Sequence, residues 1–365
     1  MNNHNNPNKL FWKNKKVLLT GHNGFKGMWL LIWLHYLGAE VWGYALEAEN
    51  NIGMYQDIIK NLNFSKFHDF IGDINDFDCL KSYIKEINPD IVIHLAAQPL
   101  VTDSYLKPLE TWQTNVMGTI NLIESLRLIN SKSSVLIITT DKVYKNNEWD
   151  FGYRESDVLG GHDPYSSSKA SVELLVQSWR SSFCTSSNTS VSSNLKIATA
   201  RSGNVLGGGD LSQNRIVPDA IRALSKNEII NIRNPNATRP WQHVLEPICG
   251  YLLLCERLNS GNKKYCQAFN FGPNLKSNKK VSELVDKILE YWDGSWKSNE
   301  NPGSFHEANY LHLNSDKAFK LLNWSSRWDF DKTIKKTINW YKETSLAENF
   351  YQNCLKDIES YIFDD

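Results

Sequence analysis

Apolar residues in this chain gather in short runs set between longer stretches of mixed character. Residues 16–20 (KVLLT), 40–45 (EVWGYA), 90–96 (DIVIHLA), 135–139 (VLIIT) and 195–200 (LKIATA) are such runs. They are too short for helices and carry β-branched or aromatic side chains, which predicts buried strands. Residues 28–37, 76–87, 108–129 and 164–183 have the length and composition of helices. Strands that alternate with helices predict βαβ units, a parallel sheet and right-handed crossovers.

The fold class expected is therefore α/β, a Rossmann-type doubly wound parallel sheet with a smaller C-terminal substrate-binding domain. Residues 184–194 (CTSSNTSVSSN) predict an exposed loop. Past Gly203 the alternation fades, and Gly207-Gly208-Gly209, Asn234-Pro235-Asn236 and Arg239-Pro240 punctuate shorter elements. The sheet domain is expected over 13–205, with 238–275 returning to it. Segments 206–237 and 276–365 are expected to close over the C-terminal edge of the sheet.

The first strand runs directly into Gly21-His22-Asn23-Gly24-Phe25-Lys26-Gly27. Glycines let a chain turn sharply and let its N–H groups approach a pyrophosphate, and a following helix adds the positive end of its dipole. A strand before and a helix after make this a dinucleotide loop rather than a simple tight turn. Asp73, in Gly72-Asp73-Ile74, can meet an adenine amino group. The small residues of Leu95-Ala96-Ala97 let a cofactor lie across the sheet edge. Glu47 can bind a ribose 2′-hydroxyl, which favours NAD, or it is a solvated loop acid.

Tyr165 and Lys169 stand four apart, on one face of the predicted helix at 164–183. A phenol titrates near pH 10 and is a poor base at neutrality, but a neighbouring ammonium favours the phenolate. The pair can take a proton from a sugar hydroxyl; alone, the same spacing also suits an exposed helix turn. The fourth strand ends in Thr139-Thr140-Asp141-Lys142, at the sheet edge where such folds bind ligands. Thr140 can share the substrate proton with Tyr165. Oxidation of a hydroxyl needs nothing more than Thr140, Tyr165 and Lys169. Asp141 and Lys142 are surplus to it and imply a second acid–base step, unless they form only a strand-end salt bridge.

Composition narrows the classes. Lys plus Arg and Asp plus Glu are 40 each, so no net charge favours nucleic acid or an anionic membrane. The longest strongly apolar run, 28–34, is too short to span a bilayer, and the polar start MNNHNNPNKL does not read as a signal peptide. The six cysteines show no metal-ligand spacing, so no metal and a cytoplasmic setting are expected. Asn188-Thr189-Ser190 matches a glycosylation sequon but carries no weight without secretion.

With these elements placed, the chain from about 16 to about 341 resembles the extended short-chain dehydrogenase/reductase superfamily. Within it, the similarity is to the CDP-glucose 4,6-dehydratases. GHNGFKGMWL from Gly21, TTDKVY from Thr139, GYRESDVLGGHDPYSSSK from Gly152 and RNPNATRPWQHVLEP from Arg233 carry that resemblance. Asp-Lys at 141–142 is distinctive, since related dTDP-glucose dehydratases usually carry Asp-Glu there. The resemblance implies tightly held NAD in a 13–205 NAD-binding domain, with CDP-glucose as the small-molecule substrate. It implies oxidation at C4, loss of water across C5–C6 with Asp141 as acid and Lys142 as base, and hydride return to C6. It places Asn115 in support of the catalytic tyrosine at the cofactor, Asn204 at the substrate diphosphate, Arg215 and Arg239 along the nucleotide-sugar pocket, and Gln98 near the hexose. It also implies a homodimer formed through the helices from Pro108 and Pro164, and a role in deoxysugar supply for lipopolysaccharide O-antigen. A nucleotide-sugar 4-epimerase, a dehydratase for another nucleotide-glucose, and a non-catalytic NAD-binding module are the alternatives. Members often carry Gly-Gly-Gly-Asp-Trp and an acid before the pocket arginine. Here the run is Gly209-Asp210-Leu211-Ser212-Gln213-Asn214-Arg215, short of an aromatic and of a charge.

Overall fold

The computed structural model of the chain describes residues 5–48, 52–184, 191–299, 310–344 and 349–363. The sequon Asn188-Thr189-Ser190 lies outside them. Seven strands form one sheet: β1 (Lys16–Thr20), β2 (Glu40–Ala45), β3 (Phe67–Ile71), β4 (Ile91–His94), β5 (Ser134–Ile138), β6 (Lys196–Ser202) and β7 (Ala268–Phe271). Their order is β7-β6-β5-β4-β1-β2-β3, and every pairing is parallel. The order reverses between β1 and β4, which opens a crevice beyond the carboxyl ends of those strands.

Two of the seven strands carry no clear apolar run. β3 (FHDFI) lies at the edge of the sheet and buries only Phe67 outright, so its polar positions are tolerated. β7 (AFNF) lies at the other edge, fully buried and only four residues long. The helix Phe25–Tyr36 is buried from Gly27 to Leu34, without a polar face. It is covered on both sides, by the sheet and by the helix Phe350–Ile362, where the Trp33 and Tyr361 rings meet edge-on at 5.7 Å.

The stretch read as one helix over 108–129 is three pieces. Helices Pro108–Trp112 and Gly118–Leu128 flank a π-helical turn, Gln113–Met117. Such turns occur often at functional sites, and this one carries Asn115. The helix Pro164–Ser182 starts sharply because Asp163 caps it: its carboxylate accepts from the Ser166 N–H at 2.9 Å and the Ser166 hydroxyl at 2.6 Å, with Pro164 in the first turn.

Beyond β6 the described residues make three small two-stranded pairings. Val205–Leu206 joins Gln242–His243, Thr238–Pro240 joins Asn278–Lys280, and Ile230–Ile232 joins Trp296–Ser298. The helices Ile216–Ser225, Val281–Leu289 and Phe330–Thr344 pack around them. All six cysteines are free, and among the described residues no helix is long and apolar enough to cross a membrane.

Candidate active site

The glycine loop lies in the crevice. Gly21 takes φ +69°, and a Cβ there would stand 2.8 Å from the Ala96 amide nitrogen, so only glycine serves. At Gly27 a Cβ would stand 2.1 Å from the Gly21 carbonyl oxygen, which lets the helix start directly under the loop. At Gly24, by contrast, a Cβ would have only the Gly21 oxygen within 4 Å. The loop is closed on its protein side and open on its outer side, as a pyrophosphate cradle must be. The helix opens at Phe25, and its Gly24 cap uses no side chain. Asn23 turns inward and donates to the Leu46 carbonyl at 2.6 Å.

Leu95 and Ala96 follow β4, and both amides donate to the Thr20 hydroxyl at 3.2 Å. Ala97 follows them at the same edge. Asp73 is exposed at the end of the crevice, while Ile74 beside it is buried against Gly118. Asn115 is fully enclosed; its amide donates to the Gln98 carbonyl (3.1 Å) and to the Ser168 hydroxyl (2.9 Å), tying the π turn to the Tyr165 helix. Gln98, expected near the hexose, is engaged by its own surroundings. Its amide donates to Leu100 O and Thr111 Oγ1 and accepts from the Leu100 N–H, so the side chain latches its own loop.

Thr140, Asp141 and Lys142 form a tight turn at the end of β5. The Thr140 hydroxyl donates to Asp141 Oδ1 at 3.0 Å and accepts from the Lys142 N–H. Lys142 Nζ lies 3.6 Å from Asp141 Oδ1. Asp141 is 1% exposed, and its Oδ2 has no hydrogen-bond partner among the described residues. That oxygen faces Gly203, where a Cβ would stand 2.9 Å away. A buried carboxylate oxygen left without a donor is expensive to keep, and groups of this kind concentrate where function requires them.

Tyr165 stands across from this turn. Burial pushes its phenol up to about 12, and the Thr140 hydroxyl and then Arg215 oppose that rise. Lys169 donates to the Ile138 carbonyl at 3.3 Å, and burial lowers it to about 8.

Arg215 pairs with Asp210 at 3.0 Å, so an acid does accompany this arginine, supplied from five residues upstream. Asn214, directly before it, takes φ +61°, which asparagine tolerates. Asn204 Oδ1 is buried without a partner among the described residues. Arg239 lies on the strand Thr238–Pro240 and donates to the Thr238 carbonyl at 3.0 Å.

Several residues join the site that sequence reasoning passed over. Lys26 of the glycine loop donates to the Ser202 hydroxyl at 3.0 Å, which lies 2.9 Å from the Tyr251 hydroxyl. Burial, with Arg215 next, lowers Lys26 to about 7, while Asp141 raises it. Its position inside the glycine motif was the available signal. His22 packs under Gly43, its Nε2 2.7 Å from the Tyr55 hydroxyl and 2.8 Å from Asp69 Oδ1. A cleft of about 540 Å³ among Tyr291, Lys332, Lys336, Trp340 and Asp357 lies on the C-terminal helices and holds none of these residues.

A parallel sheet with a glycine cradle at its switch point and a Thr-Tyr-Lys set beside a buried acid defines a class: enzymes that work on a sugar hydroxyl with a dinucleotide. Residues 18–337 match the family described as GDP-mannose 4,6 dehydratase, and the chain belongs to that family. Among curated proteins it is similar to the CDP-glucose 4,6-dehydratase of Salmonella typhimurium, 42% identical over 97% of this chain and 98% of that one. The dTDP-D-glucose 4,6-dehydratase of Dictyostelium discoideum is 28% identical over 78% of this chain and 64% of that one. Its fold is shared with the epimerase Mth375 of Methanothermobacter thermautotrophicus (TM-score 0.80, 22% identity, 93% of this chain and 96% of that one). It is shared too with the Bacillus anthracis dTDP-glucose 4,6-dehydratase solved in complex with NAD (TM-score 0.76, 18% identity, 91% and 98%).

Proposed function

We propose that this chain is a hydro-lyase that converts CDP-glucose to CDP-4-keto-6-deoxy-glucose with NAD as a returning cofactor. The observation that carries the reading is the buried Asp141, one oxygen without a partner, in one turn with Lys142 and Thr140 and facing Tyr165. The close relationship to a CDP-glucose 4,6-dehydratase supports the choice of substrate.

The cradle of Gly21, Gly24 and Gly27 would hold the pyrophosphate of NAD, Asp73 would meet the adenine end, and Leu95 to Ala97 would floor the crevice. When bound, NAD accepts hydride from C4 and later supplies it to C6. Tyr165 acts as the phenolate, which the Lys169 ammonium favours, and takes the 4-hydroxyl proton through Thr140 to become the neutral phenol while hydride leaves C4. The 4-ketone acidifies C5. Lys142 removes the C5 proton as base while Asp141 delivers a proton to the departing 6-hydroxyl as acid. Asn204, Arg215 and Arg239 meet the diphosphate; for Arg215 this means exchanging Asp210 for a phosphate, which a guanidinium does well.

The chain is proposed to act as a homodimer. Leu106, Leu109, Trp112 and Met117 are exposed on one side of the site, and Leu174 is exposed on the adjoining helix. Together they make an apolar face suited to a second copy. A cytoplasmic setting and a place in deoxysugar supply for O-antigen belong to the same reading.

The test is to incubate purified protein with CDP-, dTDP-, UDP- and GDP-glucose separately and weigh the products. Loss of one water from CDP-glucose above the others supports the reading. A product of unchanged mass would mean an epimerase, and preference for another base would reassign the substrate.

A further inference from the structure

Tyr165 and Lys169 lie on one face of their helix, and one more step of four on that face reaches Glu173. This carboxylate is buried and takes no part in the chemistry above, yet it is fully engaged. Its Oε1 accepts from the Thr139 hydroxyl at 2.5 Å. Its Oε2 accepts from the Thr199 hydroxyl at 2.7 Å and from Arg201 Nη2 at 2.8 Å. Arg201 is equally buried and continues outward: Nη1 donates to the Tyr144 hydroxyl at 2.7 Å, and that hydroxyl donates to Asn270 Oδ1 at 2.8 Å.

These contacts are arranged around one segment. Thr139 and Tyr144 bracket Thr140, Asp141 and Lys142. Glu173 holds the first end, and Arg201, paired to Glu173, holds the second. The Thr139 N–H also donates to the Ala200 carbonyl at 2.8 Å, which ties the first end to β6. The active turn and the helix bearing the base are thus stitched together by one ion pair.

The charges around this pair are mixed. Lys169 has Tyr165 and Glu173 on its own helix and senses His94 of β4 and Lys26 of the glycine loop. Glu173 faces Arg201 from β6, Arg180 on its own helix and Lys317 from the helix Asp316–Leu322. Asp141 and Arg215 act on Tyr165 from the far side. Of these groups, Glu173 is the one that favours the Lys169 cation against its burial. Burial disfavours the charge on Glu173 itself, but Arg201 and the two threonine hydroxyls outweigh it and hold the carboxyl below its ordinary range.

We propose that Glu173, with Arg201, is a positioning residue: it fixes both ends of the Thr139–Tyr144 segment against the helix of Tyr165 and sets a negative charge one turn from the Lys169 ammonium. The inference rests on the proposed role of Tyr165 and Lys169. The wild-type enzyme must first turn CDP-glucose over, and its failure to do so is a failure of that reading rather than of this one.

The test is the pH dependence of kcat and of KM for CDP-glucose in E173Q and E173D, with thermal melting alongside. E173Q removes the charge near Lys169. Its alkaline limb is expected to move to lower pH by about one unit, the usual effect of one opposite charge at this range, with kcat down about tenfold and KM little changed. E173D keeps the charge but shortens the reach; it is expected to keep the wild-type limb and lose about tenfold in kcat. E173Q leaves the Arg201 charge buried alone, so the double variant E173Q/R201M is the second measure, and the same displacement of the limb is expected. A wild-type alkaline limb in folded E173Q or in the double variant overturns the proposal, even if melting temperature falls. Wild-type kcat in E173D overturns it as well.

Discussion

Replacing Asp141 by asparagine separates the two halves of the chemistry. The side chain is 1% exposed and of the same size as asparagine, so the fold has no reason to change. Oδ1 can still accept from Thr140, and Tyr165 keeps its helper. What D141N loses is the only proton it can deliver to the 6-hydroxyl. General acid catalysis is worth roughly 10²–10⁴-fold, about 3–5 kcal/mol at one decade per 1.36 kcal/mol. Water loss should slow by that factor, while oxidation at C4 should stay near the wild-type rate. The Asn amide inherits the position of the unpartnered oxygen, so the melting temperature is expected to stay within a few degrees of wild type. Rapid-quench mass spectrometry of CDP-glucose turnover in D₂O, beside a thermal melt, reads both effects. Water loss at the wild-type rate, or C4 oxidation slowed as much as water loss, would refute the assignment of Asp141 as the acid.

Further outcomes are expected from other parts of the molecule. In G27A the new Cβ stands 2.1 Å from a backbone oxygen that cannot withdraw; NAD binding by calorimetry should be lost and stability should drop by about 1–3 kcal/mol. His94 and His243 are buried with pKa values lowered to about 3, so the unfolded chain binds more protons below pH 6.5. Stability is then full above that pH and falls as pH drops through the window, by up to about 1.4 kcal/mol per unit for each histidine; urea midpoints that stay flat there would contradict this. Replacing exposed Leu109 and Leu174 with aspartate should give a monomer by light scattering without unfolding it, because both side chains face outward.

The parts of the fold legible in the sequence are those where one physical cause dominates. β1, β4 and β5 are buried on both faces and read as continuous apolar runs. β3 could not be read the same way, because an edge strand leaves His68 and Asp69 partly exposed and breaks the run. β7 is four residues long and lies more than sixty residues beyond β6, so no regular alternation announced it. The π turn in 113–117 leaves no mark on hydrophobic spacing, and with it went the reason Asn115 faces Ser168.

The site divides along the same line. Tyr165 with Lys169, and Thr140 with Asp141 and Lys142, sit on single elements whose geometry follows from spacing. Their surroundings do not: burial raises the Tyr165 phenol, and Lys169 also donates to the Ile138 carbonyl, neither of which spacing shows. Gln98 and Glu173 show the limit from opposite sides. A polar residue at the sheet edge turned into its own loop, and an unremarked glutamate inside a helix accepts from the Thr139 hydroxyl just before the Thr140–Lys142 turn. Both depend on partners far away in sequence.

The central claim is that oxidation at C4 opens the way for water to leave across C5 and C6. Turnover of CDP-glucose deuterated at C4 tests it most directly. The account predicts a product lighter by one water that carries the deuterium on C6. A product of undiminished mass, or one that has lost the label to solvent, would contradict it.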